Sequence, residues 1–331
     1  MKKLEAVEGV KNANSIDEFV SALNVVESFR SPYAEGSTLD EKFDSSAVLG
    51  ILNSIDSNYH TFSIPKKSGA RRIIHAPSKR LKLIQYIISY ALSELFDFHE
   101  SAHGFMVKRG IQSNAIVHVG SEFVLNVDIK DFFPSVTINR IEKNLEGLGF
   151  TSLSARLIGL LCTKNNKLPQ GSPASPVITN IVSKQLDDRL ERFAIARGCQ
   201  YSRYVDDITF SADYHLFNSS FEKKLTKIIE TEGFRLNITK TRILSKSDRQ
   251  EVTGIVINEK LNVNRKFIRK VRAMIHTLSK EGALDDQNEL KSLVTKTLGC
   301  LSFISQVRGK DDPLYNRLNN QLTNLLRDYE C

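Results

Sequence analysis

The sequence predicts an α+β protein built as one continuous body, and three observations carry that prediction. FVLNVDI at 123–129, and YSRYV and ITFSA on either side of Asp206-Asp207, have the short alternating pattern of half-buried strands. Other segments have the spacing of an amphipathic helix; apolar residues at 81, 83, 84, 87, 88, 91 and 92 are the plainest case. Finally, no Gly/Ser/Pro-rich linker divides the 331 residues into independent blocks, although that length exceeds an ordinary single domain.

The elements follow in order. Phe19, Val20, Leu23, Val25 and Val26 recur at roughly helical spacing before SPYAEGSTLD breaks the pattern, so residues 1–50 read as a helical N-terminal extension. From Tyr59 on, two β-like runs flank Lys67-Ser68-Gly69 and predict a basic hairpin. The helix of SKRLKLIQYIISYALSELF comes next. FVLNVDIKDFFPS is a strand that places Asp128 opposite Val127 and is expected to end at Pro134. Residues 138–163 are helical, and LPQGSPASP is a loop. Ser175-Pro176 starts a helix carried by Ile178, Ile181, Val182, Leu186, Leu190 and Phe193 as far as Gly198. Asp206-Asp207 then sits at the tip of a hairpin, and EVTGIVIN is a further strand. KLNVNRKFIRKVR holds six basic residues and no acidic one. With Phe267, Ile268, Val271, Met274, Ile275 and Leu278 on one stripe, it predicts a helix with a basic face.

Composition narrows the function classes. With 41% hydrophobic and 25% charged residues, the chain can bury a core and is not disordered as its main state. The excess of 46 Lys+Arg over 38 Asp+Glu gives +8 and a pI near 9.2, which favours polyanionic partners without specifying them. Cys162, Cys199, Cys300 and Cys331 form no CxxC pair or zinc-ligand cluster, so free thiols are expected. MKKLEAVEGVKN has no apolar stretch behind its lysines, and no apolar run reaches the roughly 18 residues of a membrane span. The expectation is a cytoplasmic protein with no membrane partner.

Phosphoryl transfer to a 3′-hydroxyl calls for divalent ions held by hard carboxylate oxygens, typically a pair about 4 Å apart. Asp128 at a strand end and Asp206-Asp207 at a hairpin tip can meet if their strands are neighbours in one antiparallel sheet. An isolated Asp-Asp pair is ordinarily a solvated turn. Here Tyr204-Val205-Asp206-Asp207 follows VDIKDFFPS and LPQGSP, and these three motifs, in this order, resemble those of reverse transcriptases over residues 60 to 310.

The resemblance implies a right-hand polymerase fold whose palm is an antiparallel sheet with a ferredoxin-like core. Fingers would come from 51–122 and 138–168, palm from 123–137 and 169–258, and a helical thumb from 259–331. It implies Asp128, Asp206 and Asp207 as metal carboxylates, with the Ile129 backbone carbonyl, for two Mg²⁺ ions or Mn²⁺ in their place. Asp207 would be the least directly bound. Phe133 matches the aromatic gate against a ribose 2′-hydroxyl, with Phe132 as the other candidate. Gln170 matches the contact to the incoming dNTP, Arg71 or Arg72 the triphosphate clamp, and Asp131 and Phe132 the backbone donors to the triphosphate. Lys240 matches a lysine that aids the leaving pyrophosphate.

Asn114-Ala115-Ile116-Val117-His118 resembles the NAxxH signature of retron reverse transcriptases, and Val252-Thr253-Gly254 their VTG signature. Both imply RNA contacts, together with the basic helix through Arg265, Lys266, Arg269, Lys270 and Arg272, which suits the phosphates and 2′-hydroxyls of an A-form groove. Retron enzymes copy a structured non-coding RNA of the msr-msd type into DNA joined to it by a 2′-5′ branch, and commonly act in antiphage defence with a separate effector protein. Little chain follows the basic helix, so an RNase H activity is expected from the host. The alternatives are another small bacterial reverse transcriptase (abortive-infection, diversity-generating or group II-like), against which both signatures argue, and a non-catalytic RNA-binding scaffold, against which the intact carboxylates argue.

Overall fold

The computed structural model describes residues 2–29, 42–66, 69–280 and 286–329. Within the expected basic hairpin turn, Lys67 and Ser68 lie outside these residues, as do SPYAEGSTLD and Cys331.

Helices α1 (Lys2–Asn12), α2 (Ile16–Glu27) and α3 (Ser45–Asn53) lead into the hairpin β1 (Tyr59–Pro65) and β2 (Arg71–Pro77), then α4 (Lys79–Leu95) and the short α5 (Ile111–Ile116). Ser15 caps α2 by accepting from the Glu18 N–H, while Glu18 returns a bond to the Asn14 N–H. The first fifty residues are not an appendage. Val7, Val10, Phe19 and Leu23 share one core with Leu81, Ile84 and Ile88 of α4, because α1 and α2 each bury one apolar stripe against that helix. Gln85, buried on α4, donates to both the Tyr59 hydroxyl and the Leu161 carbonyl and so ties the hairpin to the next helical layer.

The main sheet begins with β3 (Phe123–Asp128). After α6 (Phe132–Ser135), α7 (Ile138–Gly147), α8 (Ser152–Cys162), α9 (Ser175–Val182) and α10 (Lys184–Ile195), it resumes with β4 (Gln200–Tyr204) and β5 (Asp207–Ala212), and after α11 (Ser219–Thr231) it closes with β6 (Arg242–Ser245). The strand order is β4-β5-β3-β6 and every neighbouring pair is antiparallel. That is the split β-α-β order of a ferredoxin-like sheet, with a helical block inserted in the first crossover. Leu125 and Val127 face the larger core, whereas Val124 faces a second core with Ala115, Val252 and Ile255. Both faces of the sheet are therefore covered.

Three elements differ from expectation. β3 stops at Asp128 rather than Pro134, because Asp131 turns the chain at φ 50° and Pro134 then fits the first turn of α6, where its missing N–H costs nothing. The helix expected over 175–198 is interrupted at Ser183, although the Ser183 N–H still reaches the Thr179 carbonyl; the apolar spacing therefore runs through the break. EVTGIVIN is a minimal hairpin of β7 (Glu251–Val252) and β8 (Ile255–Val256). Thr253 and Gly254 form its turn at φ 49° and 82°, as a type I′ turn requires.

The remaining helices, α12 (Arg265–Leu278), α13 (Gln287–Arg308) and α14 (Pro313–Tyr329), pack around Val271, Ile275, Leu301, Ile304, Leu318 and Leu322. No helix among the described residues is long and apolar enough to cross a membrane. Cys162 and Cys199 are buried free thiols, and Cys300 is a half-buried one.

Candidate active site

The three aspartates meet because register demands it. Asp128, the last residue of β3, pairs directly with Asp207, the first of β5, and Asp206 occupies the two-residue turn that joins β4 to β5. The Ile129 N–H donates to the Asp206 carbonyl at 2.9 Å, locking the turn to the end of β3. The other turn residue, Val205, has φ 62°. For a β-branched residue that conformation costs about 1–3 kcal/mol and persists only where the surroundings over-determine it.

Asp128 is 6% exposed, and its carboxylate has two partners: the Lys240 ammonium at 2.6 Å and the Asn237 side-chain amide at 3.0 Å. Burial, then the Asp206 and Asp128 charges, push the Asp207 carboxyl up to about 6. Solvent access at Asp207 screens part of that repulsion. Burial chiefly, with Asp128 adding to it, also raises Asp206, whereas Lys240 and Arg72 oppose the shift. The hydrogen bond to Asp128 holds the Lys240 ammonium above its ordinary value.

Crowded carboxylates served by one lysine form a donor set for a hard divalent cation, with no thiolate or imidazole among them. No three His, Cys, Asp or Glu side chains among the described residues converge on one metal position.

Two cavities bear on the site, one holding Arg72 and the other holding Asp128 and Asp207. One, of about 440 Å³, is walled by Arg71 and Arg72 of β2, Asp131, Lys164, Lys167 and Gln170 among others. The other, of about 550 Å³, runs from Asp128, Asp207 and Lys240 past Arg242 and Arg249 to Thr253 and Gly254. The LPQG loop is fixed to the first: the Gln170 carbonyl accepts from the His75 N–H at 2.8 Å, and Gly171, at φ 120°, lies so close to β2 that a Cβ would come 2.7 Å from the His75 carbonyl oxygen.

Ferredoxin-like sheet, paired strand-end carboxylates and a basic cavity nearby together define a right-hand nucleic-acid polymerase with the antiparallel sheet as its palm. The family model described as "Reverse transcriptase (RNA-dependent DNA polymerase)" matches residues 64–257. The retron Ec86 reverse transcriptase of Escherichia coli is 32% identical over 282 residues, covering 84% of this chain and 85% of that protein. The retron Mx65 reverse transcriptase of Myxococcus xanthus is 36% identical over 237 residues, covering 66% of this chain and 56% of that one. The chain thus spans only about half the length of the Myxococcus relative. Among solved structures, a telomerase from Candida albicans bound to a telomeric RNA fragment aligns at TM-score 0.46 and 12% identity over 85% of this chain and 67% of that one, too low to carry further weight. The chain belongs to the reverse transcriptase family, in its bacterial retron branch, and its domain is an RNA-directed DNA polymerase, an activity that in general depends on a divalent metal.

The remaining expected residues divide into those gathered at the site and those elsewhere. Arg71 and Arg72 occupy consecutive β2 positions, whose side chains alternate in direction, and both line the smaller cavity. The Arg71 guanidinium is held by the Ser63 hydroxyl at 2.7 Å, while Arg72 is near enough to act on Asp206. Phe132 is buried against Phe133 and Phe234, which leaves Phe133 as the partly open ring. Lys240 lies on Asp128. Arg265, Lys266, Arg269, Lys270 and Arg272 are all exposed along α12.

Asn114, His118 and Val252 are corrections. All three are buried, so their side chains do not reach RNA. His118 instead bridges β4 and β5, its Nε2 2.7 Å from the Ser202 hydroxyl and its Nδ1 2.8 Å from that of Ser211. Thr253, half-buried beside the exposed Gly254, donates to the Ile111 carbonyl at 3.2 Å, and the elements carrying the two signature motifs pack against each other.

Sequence reasoning missed Lys164 and Lys167, whose only signal is the basic TKNNK preceding LPQG. It also missed Arg203, wholly buried one residue before Tyr204. Its signal was an arginine inside a strand otherwise flanked by buried positions.

Proposed function

We propose that this protein copies a structured non-coding RNA of the msr-msd type into single-stranded DNA that remains joined to the RNA through a 2′-5′ branch. The register pairing of Asp128 with Asp207, with Asp206 in the adjoining turn, is the observation that carries the polymerase part of this reading. Asp128, Asp206 and Asp207, with the Ile129 carbonyl, are the groups that would hold two Mg²⁺ ions, Mn²⁺ being the substitute. Bound there, the ions supply acidification of the attacking hydroxyl and neutralisation of the triphosphate.

The chain's own residues do the rest. Arg72, with Arg71 beside it, binds triphosphate oxygens through guanidinium forks, and the backbone N–H groups at Asp131 and Phe132 add to that grip. Phe133 closes the space a ribose 2′-hydroxyl would need, and Gln170, fixed to β2 through its own carbonyl, orients the dNTP. Lys240 neutralises Asp128 until substrate arrives and then faces the leaving pyrophosphate. The primer end occupies the second cavity, beside the Thr253-Gly254 turn, while α12 follows the backbone of the RNA-containing duplex.

Membership in the retron branch supports the branched product, a cognate RNA partner, a separate effector in antiphage defence and dependence on a host RNase H. The test is to express the protein with its neighbouring RNA, recover the bound nucleic acid and sequence it after debranching. A DNA of defined sequence attached to an internal nucleotide is expected, and it should vanish in Asp206→Ala. Unprimed DNA of random sequence would assign the chain to the abortive-infection type instead, and product formation by Asp206→Ala would remove the catalytic assignment.

A further inference from the structure

Two backbone carbonyls flank the Asp206 side chain, and both are engaged. The one at Asp206 is held by Ile129; the one at Val205 accepts from Arg203 Nη1 at 3.0 Å. Arg203 is 0% exposed, and its remaining donors are fixed. Nε and Nη2 meet Asp187 Oδ1 and Oδ2 at 2.7 and 2.6 Å, and Nη2 also donates to Asn180 Oδ1 at 3.2 Å. Asp187, on α10, accepts the Tyr201 hydroxyl at 2.6 Å as well. Asn180, on α9, donates to the Gly104 carbonyl at 3.0 Å. Gly104 abuts the same turn, where a Cβ would lie 2.6 Å from Val205 Cγ2 and 2.7 Å from Val205 N. Two helices and the 101–104 segment thus converge on the strained residue beside Asp206.

A buried guanidinium–carboxylate pair is a weak device for stability, since apolar residues of the same volume commonly serve as well. What apolar residues lack is direction. The planar fork, fixed on Asp187, aims Nη1 at the Val205 carbonyl. Because Asp187 matches its charge, Arg203 acts on Asp206 by geometry and not by field.

We propose that Arg203, oriented by Asp187, is a positioning residue that holds Val205 in its left-handed conformation, so that Asp206 beside it and Asp128 present their carboxylates to a divalent cation together. This rests on the reading of Asp128 and Asp206 as metal carboxylates.

Two variants disturb the turn from different sides. Arg203→Met with Asp187→Asn removes both buried charges and keeps an acceptor for Tyr201; Gly104→Ala presses on Val205 and leaves the ion pair intact. Primer extension is titrated with Mg²⁺ and with dNTP on protein whose folded fraction is measured by circular dichroism, with Asp206→Ala in parallel. The expected result is a Mg²⁺ requirement raised about tenfold or more, as when a group supporting a metal ligand is lost. A fall in kcat of about 100-fold should accompany it, with dNTP KM at saturating Mg²⁺ little changed. If the double variant does not fold, Arg203→Lys, which keeps the charge and loses the fork, takes its place. A native Mg²⁺ response in folded variants, a loss confined to dNTP KM, or a loss that merely tracks the unfolded fraction would overturn the inference while an inactive Asp206→Ala left the metal assignment standing. An active Asp206→Ala would overturn both.

Discussion

His118 shows how much one side chain does in this palm. A neutral imidazole offers one donor and one acceptor, matching the two serine hydroxyls on β4 and β5. Burial, then nearby His103, push its pKa down from 6.5 to about 3. Between those values the unfolded chain holds a proton that the folded one refuses, so this residue's contribution to stability is present above pH 6.5 and is lost as the pH falls toward 3. In His118→Gln that part of the acid sensitivity disappears, and the gap between wild-type and variant melting temperatures narrows from neutral pH down to about pH 4. Parallel melting curves across the range would show that the histidine is protonated in place. The aspartates were legible in the sequence, since the motif places them by chemistry alone. His118 and Asn114 were misread as RNA contacts, because burial depends on strands almost a hundred residues downstream.

At the scale of elements, the turns matter more than the strands they join. The LPQG loop works because Gly171 permits both φ 120° and close approach to β2. Gly171→Ala is expected to destabilise the protein by about 1–3 kcal/mol, since it combines backbone strain with a clash against a main-chain oxygen. It should also raise the dNTP KM by about tenfold, equivalent to about 1.4 kcal/mol of lost binding, because Gln170 is carried away with the loop. Denaturant titration and steady-state kinetics measure the two effects, and an unchanged KM would detach Gln170 from nucleotide binding. Gln170 could be found from its motif. The Thr253-Gly254 turn could not: EVTGIVIN has the composition of one strand, and only two successive positive φ values make it a hairpin.

For the whole molecule, the +8 charge matters through its distribution. Five exposed cations line α12, and cations wall both cavities that bear on the site. If α12 tracks a nucleic-acid backbone, binding releases counterions. Replacing Arg269, Lys270 and Arg272 together by alanine should then flatten the log–log dependence of RNA affinity on salt by about 2–3, somewhat under one for each phosphate left without its cation. Binding measured across a salt series checks this, and an unaltered slope would place the RNA elsewhere. The N-terminal helices belong to this scale too. Read alone they form an extension, yet Phe19 and Leu23 are buried against α4.

The sequence by itself determined the chemistry and the order of the parts: three carboxylates, a glutamine loop, a basic hairpin and a basic amphipathic helix, each written in residue type and local period. The tertiary structure alone decided that Asp128 stands opposite Asp207, that Arg71 and Arg72 line one cavity, that His118 bridges two strands, and that a buried arginine donates to the turn carrying Asp206. Type and periodicity are local properties of a chain, whereas register, burial and hydrogen-bond partnership arise between segments far apart in it, and a sheet whose central strands are about eighty residues apart settles them only on folding.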